Sequence, residues 1–361
     1  MKISPTFDRV DDLIEEELEE GTFPGGVLLI RETESVLKHE YYGLKSENPS
    51  PEAVEPGTIF DLASLTKVVV TTTLTLQLVE SGVWSLTDPV SDYLDEFSNR
   101  EVTLKDLLTH TSGLMPWTDL FSGTADREGA LERLFTDRWP ILEPILPPRD
   151  KVIYSDLNFI LLGLAIERVK GESLDDLSRE KIFRALGMED TGFNPSATLM
   201  ERIAPTEDSP TRGEIIRGQV HDENCHALGG VSGHAGLFGP AKDLGNFVAS
   251  LLNRGSFKGK RILGSATVDL LGRNFTKGLG DRRTLGWQLQ GKDADSAGNL
   301  LSPESFGHTG FTGGSIWIDP AHNLGTVFLT NRVHPDRNRG KDRIGDFRGR
   351  LHNTIIGEIH E

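Results

Sequence analysis

Ser64 and Lys67 lie three residues apart in the stretch Phe60-Asp-Leu-Ala-Ser64-Leu-Thr-Lys67. On a helix that spacing puts both side chains on one face. An amine then stands beside a hydroxyl. A serine hydroxyl is a weak nucleophile until a neighbouring base takes its proton, and a lysine that shares its proton can be that base. A serine at a helix N-terminus also lies near backbone N–H groups without helical partners, which can hold a developing oxyanion. The chemistry on offer is acyl transfer through a covalent intermediate. Two solvated polar residues share this spacing by chance in many helices, so the rest of the chain must complete the site.

Further residues follow in order. Ser64-Leu-Thr-Lys67 resembles the S-x-x-K motif of serine β-lactamases and penicillin-binding proteins. Tyr154-Ser155-Asp156 and His308-Thr309-Gly310 stand where that family carries a Tyr- or Ser-containing triplet and a K-T-G-like strand. Leu108-Thr-His110-Thr-Ser-Gly113-Leu114 resembles a segment common in the class C and esterase branch. The resemblance implies Ser64 as nucleophile, Lys67 as its activator and Tyr154 as a proton shuttle to the leaving group. It also implies an oxyanion hole made by the backbone N–H groups of Ser64 and Phe311. Thr309 and Gly310 would line the substrate strand, and His221 or Asp222 would contact substrate or fix the loop that carries them.

Two positions depart from the family pattern. His308 replaces the K-T-G lysine, a fixed cation able to hold the carboxylate of a penicillin or a peptide C-terminus. Histidine, with an ordinary pKa near ~6.5, is mostly neutral at pH 7. Anionic substrates should therefore bind less well at His308, and neutral esters should lose little. Arg332, at the end of the next strand, is the candidate for restoring charge, with a solvated surface arginine as the plainer reading. Asp156 stands where many relatives carry Asn. It would pair with Lys67 and hold it protonated, or serve as a helix N-cap, with Asn158 as a weaker polar candidate. Desolvation in turn predicts a lowered pKa for a buried Lys67. His221, Asp222, Cys225, His226 and His234 form a cluster whose spacing fits no zinc signature. Neither a metal nor a cofactor is expected, Cys225 is not read as a nucleophile, and His110 is read as structural.

The elements that must position these residues are legible in part. Phe7, Val10, Leu13, Ile14 and Leu18 give a helix over residues 6–20. Val27–Arg31 and Val36–Tyr42 read as strands around a charged turn. Six β-branched residues, Val68 to Thr73, favour strand by propensity; the resemblance and the stop at Gly82 favour helix. Thr103-Leu-Lys-Asp106 is a capping box. Residues 115–150 and 217–240 read as loops around the site. Further helices are expected at Leu157–Val169 and Ala241–Leu252, strands at 286–290, 305–308, 313–319 and 324–331, and a last helix within 341–361.

Terminal strands and helices thus bracket a helical middle. The expected class is α+β: an antiparallel sheet flanked by terminal helices, with a mostly helical subdomain, as in β-lactamases and transpeptidases. One catalytic domain over residues 1–361 is expected, its sheet part at about 1–60 and 280–361 and its helical part at about 61–279. The net charge of −17 argues against nucleic acid and anionic membranes as partners. A single cysteine excludes an internal disulfide. No apolar run of about 18 residues predicts a membrane span, and no signal segment is visible, so a cytoplasmic location is expected, with a periplasmic or secreted one as the alternative if a leader was removed. The expected partner is a small-molecule ester, β-lactam or peptide. A carboxylesterase ranks first, a β-lactamase or D-Ala-D-Ala carboxypeptidase second, an acyltransferase third; a noncatalytic binding or sensor module is the reading from another class.

Overall fold

Residues 27–30, Val-Leu-Leu-Ile, are apolar at every position, which suits a strand covered on both faces. The computed structural model describes residues 5–124, 126–136, 141–291 and 296–360. In it strand β1 (Gly25–Arg31) is buried along its whole length. It lies inside a seven-stranded antiparallel sheet with β2 (Val36–Ser46), β3 (Glu52–Ala53), β4 (Gln288–Leu289), β5 (Phe306–Thr309), β6 (Gly313–Asp319) and β7 (Leu324–Asn331). The order is β4-β5-β6-β7-β1-β2-β3. Residues from opposite ends of the chain therefore pair directly, Leu28 with Phe328 and Leu29 with Val327.

Alternation along the strands sorts the two faces. Val27, Leu29, Ile316, Ile318, Val327 and Leu329 join the core shared with the helical region. Leu28, Ile30, Trp317 and Phe328 face the other way. There they meet Val10, Leu13 and Ile14 of helix α1 (Asp8–Glu19) and Phe347, Leu351 and Ile355 of the last helix, Ile344–Ile359. Three more helices matter to the site: α2 (Thr73–Glu80), α3 (Asp156–Lys170) and α4 (Ala241–Leu252); the last helix is α5. Helix α4 lies so close to β7 that a Cβ at Gly325 would sit 2.1 Å from Val248 Cγ1.

Expectation and structure agree for the sheet, for α1, α3, α4 and α5, and for the Thr103 capping box, whose reciprocal bonds to Asp106 are both present. The β-branched run is helical as expected, because it is buried on all sides and tertiary packing overrides propensity. Its first turn, Lys67–Thr72, is a π-helix, and the Thr73 hydroxyl bonds the Val68 carbonyl five residues back at 3.2 Å. Two loop expectations need correction. Residues 115–150 include a helix, Arg127–Thr136, built on the buried Ala130 and Leu134; residues 125 and 137–140 lie outside the described residues. The 217–240 stretch holds a helical turn, Glu223–Ala227, capped by Asp222, and a strand, Leu237–Gly239. That strand joins Phe60–Asp61 and Gly192–Phe193 in a small sheet that steadies the chain before Ser64. Among the described residues no helix is long and apolar enough to cross a membrane.

Candidate active site

Asp61 organises the turn that delivers Ser64. Its carboxylate accepts the N–H of Ala63 at 2.8 Å and that of His221 at 2.7 Å, joining the nucleophile loop to the 217–240 segment. Burial pushes its pKa up. Ala63 takes a left-handed φ of 46°, which costs an L-residue about 1–2 kcal/mol. Ser64 follows and lines a cleft of about 860 Å³ between the sheet edge and the helical region.

Lys67 is completely buried. Its ammonium donates to Ser64 Oγ at 2.9 Å and to the His234 carbonyl at 3.0 Å. Asp156 Oδ1 stands 2.8 Å away. That contact is an ion pair without hydrogen-bond alignment, since this oxygen has no hydrogen-bond partner. Burial alone would lower the Lys67 pKa, as the sequence suggested. The charge of Asp156, with Tyr154 beside it, outweighs burial and raises the pKa above that of a free lysine. The expected lowering is thus corrected, and Lys67 rests as a cation. The N-cap reading of Asp156 is corrected too. Ser155 is the N-cap of α3, and Asp156 is its first residue, turned toward Lys67 and the cleft.

Tyr154 sits just before α3 with its ring among charged and aromatic groups. Its centroid lies 4.5 Å from that of His110 and 5.9 Å from that of His308. Lys67 Nζ is 5.1 Å from the Tyr154 centroid and the Arg283 guanidinium 5.5 Å. His110 Nδ1 accepts the Ser155 N–H at 3.1 Å and lies 3.2 Å from Asn158 Nδ2. Asn158 is spent there and on Ser112, and does not line the cleft.

His308 is 3% exposed. Its Nδ1 lies 2.8 Å from the Thr309 carbonyl, which can only accept, so the ring proton is assigned to Nδ1. Nε2 is then a bare acceptor without a partner among the described residues. Burial, reinforced by Arg283 and Lys67, pushes the pKa far below the usual histidine value. The K-T-G position thus carries no charge.

Thr309 and Gly310 also line the cleft, and Gly310 passes directly against the nucleophile loop. A Cβ at Gly310 would lie 2.8 Å from the Leu62 carbonyl. The Thr312 hydroxyl ties the same turn to the Asp61 carbonyl at 2.8 Å. The N–H groups of Ser64 and Phe311 have no acceptor among the described residues. Behind them Arg348 of α5 donates through Nη2 to the carbonyls of Gly310 at 3.3 Å, Gly314 at 3.0 Å and Gly313. Burial, with Arg332 nearby, pulls the Arg348 pKa down to about 9. In a trans peptide C=O and N–H point opposite ways. A cation behind the Gly310 carbonyl therefore turns the Phe311 N–H away from α5.

Arg332 is neither a surface arginine nor a free cation. It is 3% exposed and donates to the carbonyls of Phe311 and Arg337, each at 3.0 Å, and of Arg339. The Phe311 side chain, 52% exposed, lies between Arg332, 5.5 Å from its ring centroid, and the stacked His221 ring at 5.5 Å. His221 is held in turn by Glu207 at 2.9 Å, which also accepts from Arg337 Nε at 2.8 Å. The neighbouring cluster is spent on structure. His234 meets Asp222 at 2.9 Å, Asp222 caps Cys225, and the buried thiol, its pKa pushed up by burial, donates to Ala235. Among the described residues no three His, Cys, Asp or Glu side chains are grouped to hold a metal.

Ser64, Lys67, Tyr154, Asp156 and His308 converge as the motif order suggested. Asp61, Glu207, Arg283 and Arg348 were not singled out. Asp61, three residues before Ser64, offered a local signal; the others join the site only through tertiary packing.

Comparison with known proteins agrees with this fold. The description of the Beta-lactamase family matches residues 10–349. The N-acetylmuramyl-L-alanine amidase of Bacillus subtilis (strain 168) is 30% identical over 395 aligned residues, covering 98% of this chain and 88% of that protein. A protein of Escherichia coli O157:H7, named provisionally as a D-alanyl-D-alanine carboxypeptidase, is 30% identical over 396, covering 98% and 89%. Among solved structures, EstCE1, described as a hydrolase with promiscuous acyltransferase activity, has a TM-score of 0.75 at 23% identity, covering 98% of both chains. A penicillin-binding protein homologue from Caulobacter crescentus has a TM-score of 0.76 at 20% identity over 99% of each chain. Likeness at that identity concerns the fold.

Proposed function

The chain belongs to the β-lactamase family, and from that premise we propose a serine hydrolase that forms an acyl-enzyme on Ser64 and cleaves carboxylic esters. Ser64 Oγ attacks the ester carbonyl as its proton passes to the phenolate oxygen of Tyr154, held beside the Lys67 ammonium, and the Tyr154 hydroxyl so formed gives that proton to the departing alkoxide. The N–H groups of Ser64 and Phe311 receive the negative charge of the tetrahedral intermediate. Lys67, already a cation beside Asp156, contributes charge stabilisation to Ser64 and Tyr154. Water then attacks the acyl group and the same groups act in reverse.

The observation that carries the ester reading is His308, buried and neutral where the family's strand has a lysine. A second reading, hydrolysis of a peptide or β-lactam amide, draws support from the names of the two relatives at 30% identity. The test is a panel of p-nitrophenyl esters, nitrocefin and D-Ala-D-Ala peptides, with wild type and Ser64→Ala. Ester turnover lost in Ser64→Ala is the expected result; retained turnover refutes the nucleophile. Absence of any covalent adduct with a fluorophosphonate or a penicillin points to the noncatalytic module instead.

A further inference from the structure

Arg348 is a buried cation that the acyl-transfer steps leave unused. It stands on the buried face of α5, lines the cleft and is 6% exposed. No carboxylate pairs with it among the described residues, and the charged neighbour that bears on it is Arg332, of like sign. Its Nε has no hydrogen-bond partner there either. One nitrogen, Nη2, gathers the carbonyls of Gly310, Gly313 and Gly314. A buried cation without a counter-ion is costly to keep.

The turn it holds, Gly310-Phe-Thr-Gly-Gly314, has glycine at three of its five positions, and Gly313 takes a φ of 125°. Side-chain sterics therefore do little to fix its peptide planes. Three carbonyl dipoles converge at one point and would repel one another without a cation at their focus. On the other side the Thr312 hydroxyl bonds the Asp61 carbonyl at 2.8 Å. The Gly310–Phe311 peptide is thus held between α5 and the nucleophile loop, and its N–H has no acceptor among the described residues.

We propose that Arg348 is a positioning residue for catalysis, acting through the Gly310–Phe311 peptide on the oxyanion, whose negative charge is the counter-charge that the resting protein lacks. The proposal rests on the acyl-enzyme reading above. A charge-assisted bond to the Gly310 carbonyl polarises that peptide and strengthens its N–H as a donor. A substrate carbonyl carries only partial charge and the tetrahedral intermediate a full one, so the effect falls on kcat rather than on KM.

The experiment compares wild type, Arg348→Gln and Arg348→Lys in p-nitrophenyl acetate turnover and in calorimetric binding of two ketones. Trifluoroacetophenone adds to Ser64 as a hemiketal oxyanion; acetophenone stands for the ground state. Arg348→Gln is expected to lose about 10- to 100-fold in kcat and in trifluoroacetophenone affinity, with KM and acetophenone affinity within about twofold of wild type. Arg348→Lys keeps the charge and should lose less of both. A kcat within about twofold of wild type in Arg348→Gln overturns the proposal, as does a fall in kcat that trifluoroacetophenone affinity does not follow. Equal losses in the two variants overturn it too. If Arg348→Gln does not fold, Arg348→Lys decides: kcat and trifluoroacetophenone affinity falling together at unchanged KM support the proposal, and any other pattern overturns it. Wild type that cleaves no ester overturns the ester reading, while the two ketone affinities still decide the role of Arg348.

Discussion

Replacing Asp156 with Asn tests the electrostatics of the site directly. Asp156 Oδ1 and Lys67 Nζ are 2.8 Å apart, with Lys67 completely buried and Asp156 one-fifth exposed. Two unit charges at that distance attract by about 6 kcal/mol at an effective dielectric of ~20, and by about 1.5 kcal/mol in bulk water. At about 1.4 kcal/mol per pKa unit, removing the carboxylate lowers the proton affinity of the Ser64–Lys67–Tyr154 cluster by about one to four units. The shift belongs to the cluster, whichever group holds the proton. The ascending limb of the kcat/KM profile for p-nitrophenyl acetate, recorded from pH 5 to 10, should move to lower pH by at least about one unit in Asp156→Asn. The asparagine keeps the shape of the side chain, so a change of geometry alone rescales the profile without moving it. A limb that stays in place, or moves upward, refutes the claim that Asp156 sets the charge of Lys67.

Changing His308 to Lys should raise penicillin turnover relative to ester turnover, because it returns a cation to the K-T-G strand; an unaltered ratio sinks the account of that position. Gly310→Ala places a methyl 2.8 Å from the Leu62 carbonyl, so the loop bearing the Phe311 N–H must shift. kcat should fall about 10-fold with little change in KM, and a kcat within about twofold of wild type rejects this N–H as an oxyanion donor. Acid should destabilise the fold through histidines buried as neutral rings. Burial lowers His352 to about 4, and pushes His110 and His308 well below the ordinary histidine value. The unfolded chain takes up these protons near pH ~6.5 and the folded chain does not. Stability is therefore complete above ~6.5 and declines as pH falls, by about 3 kcal/mol for His352 alone down to pH ~4. The melting temperature should drop over that range, and less steeply in His352→Gln; equal slopes contradict the assignment.

The sheet was readable because its strands alternate, or run apolar, between strong breakers. Gly313–Asp319 and Leu324–Asn331 match residue for residue. The capping box at Thr103 was equally plain. Helix 127–136 was not, because only Ala130 and Leu134 are buried on it and its surroundings are rich in Pro and Trp. In the site, motif spacing found Ser64, Lys67 and Tyr154, since each lies in a short local pattern. It misjudged the Lys67 pKa because the sequence shows burial and pairing as separate tendencies, without the 2.8 Å that decides between them. Arg332 looked like a charge at a strand end; only the fold brings carbonyls from residues 311, 337 and 339 around it. Arg348 and Glu207 had no pattern at all, because their partners lie 38 and 14 residues away.

Strand β1 between β2 and β7, and α5 behind the Gly310 turn, carry a consequence for biosynthesis. A growing polypeptide exposes Ser64 and Lys67 early, while the Phe311 amide and the arginine that aims it emerge hundreds of residues later. Closing so distant a pairing is slow. On the mechanism proposed above, the nascent chain should stay inert until its final segments dock, and a chain cut short before α5 keeps Ser64 yet lacks the arginine that holds the Gly310 carbonyl.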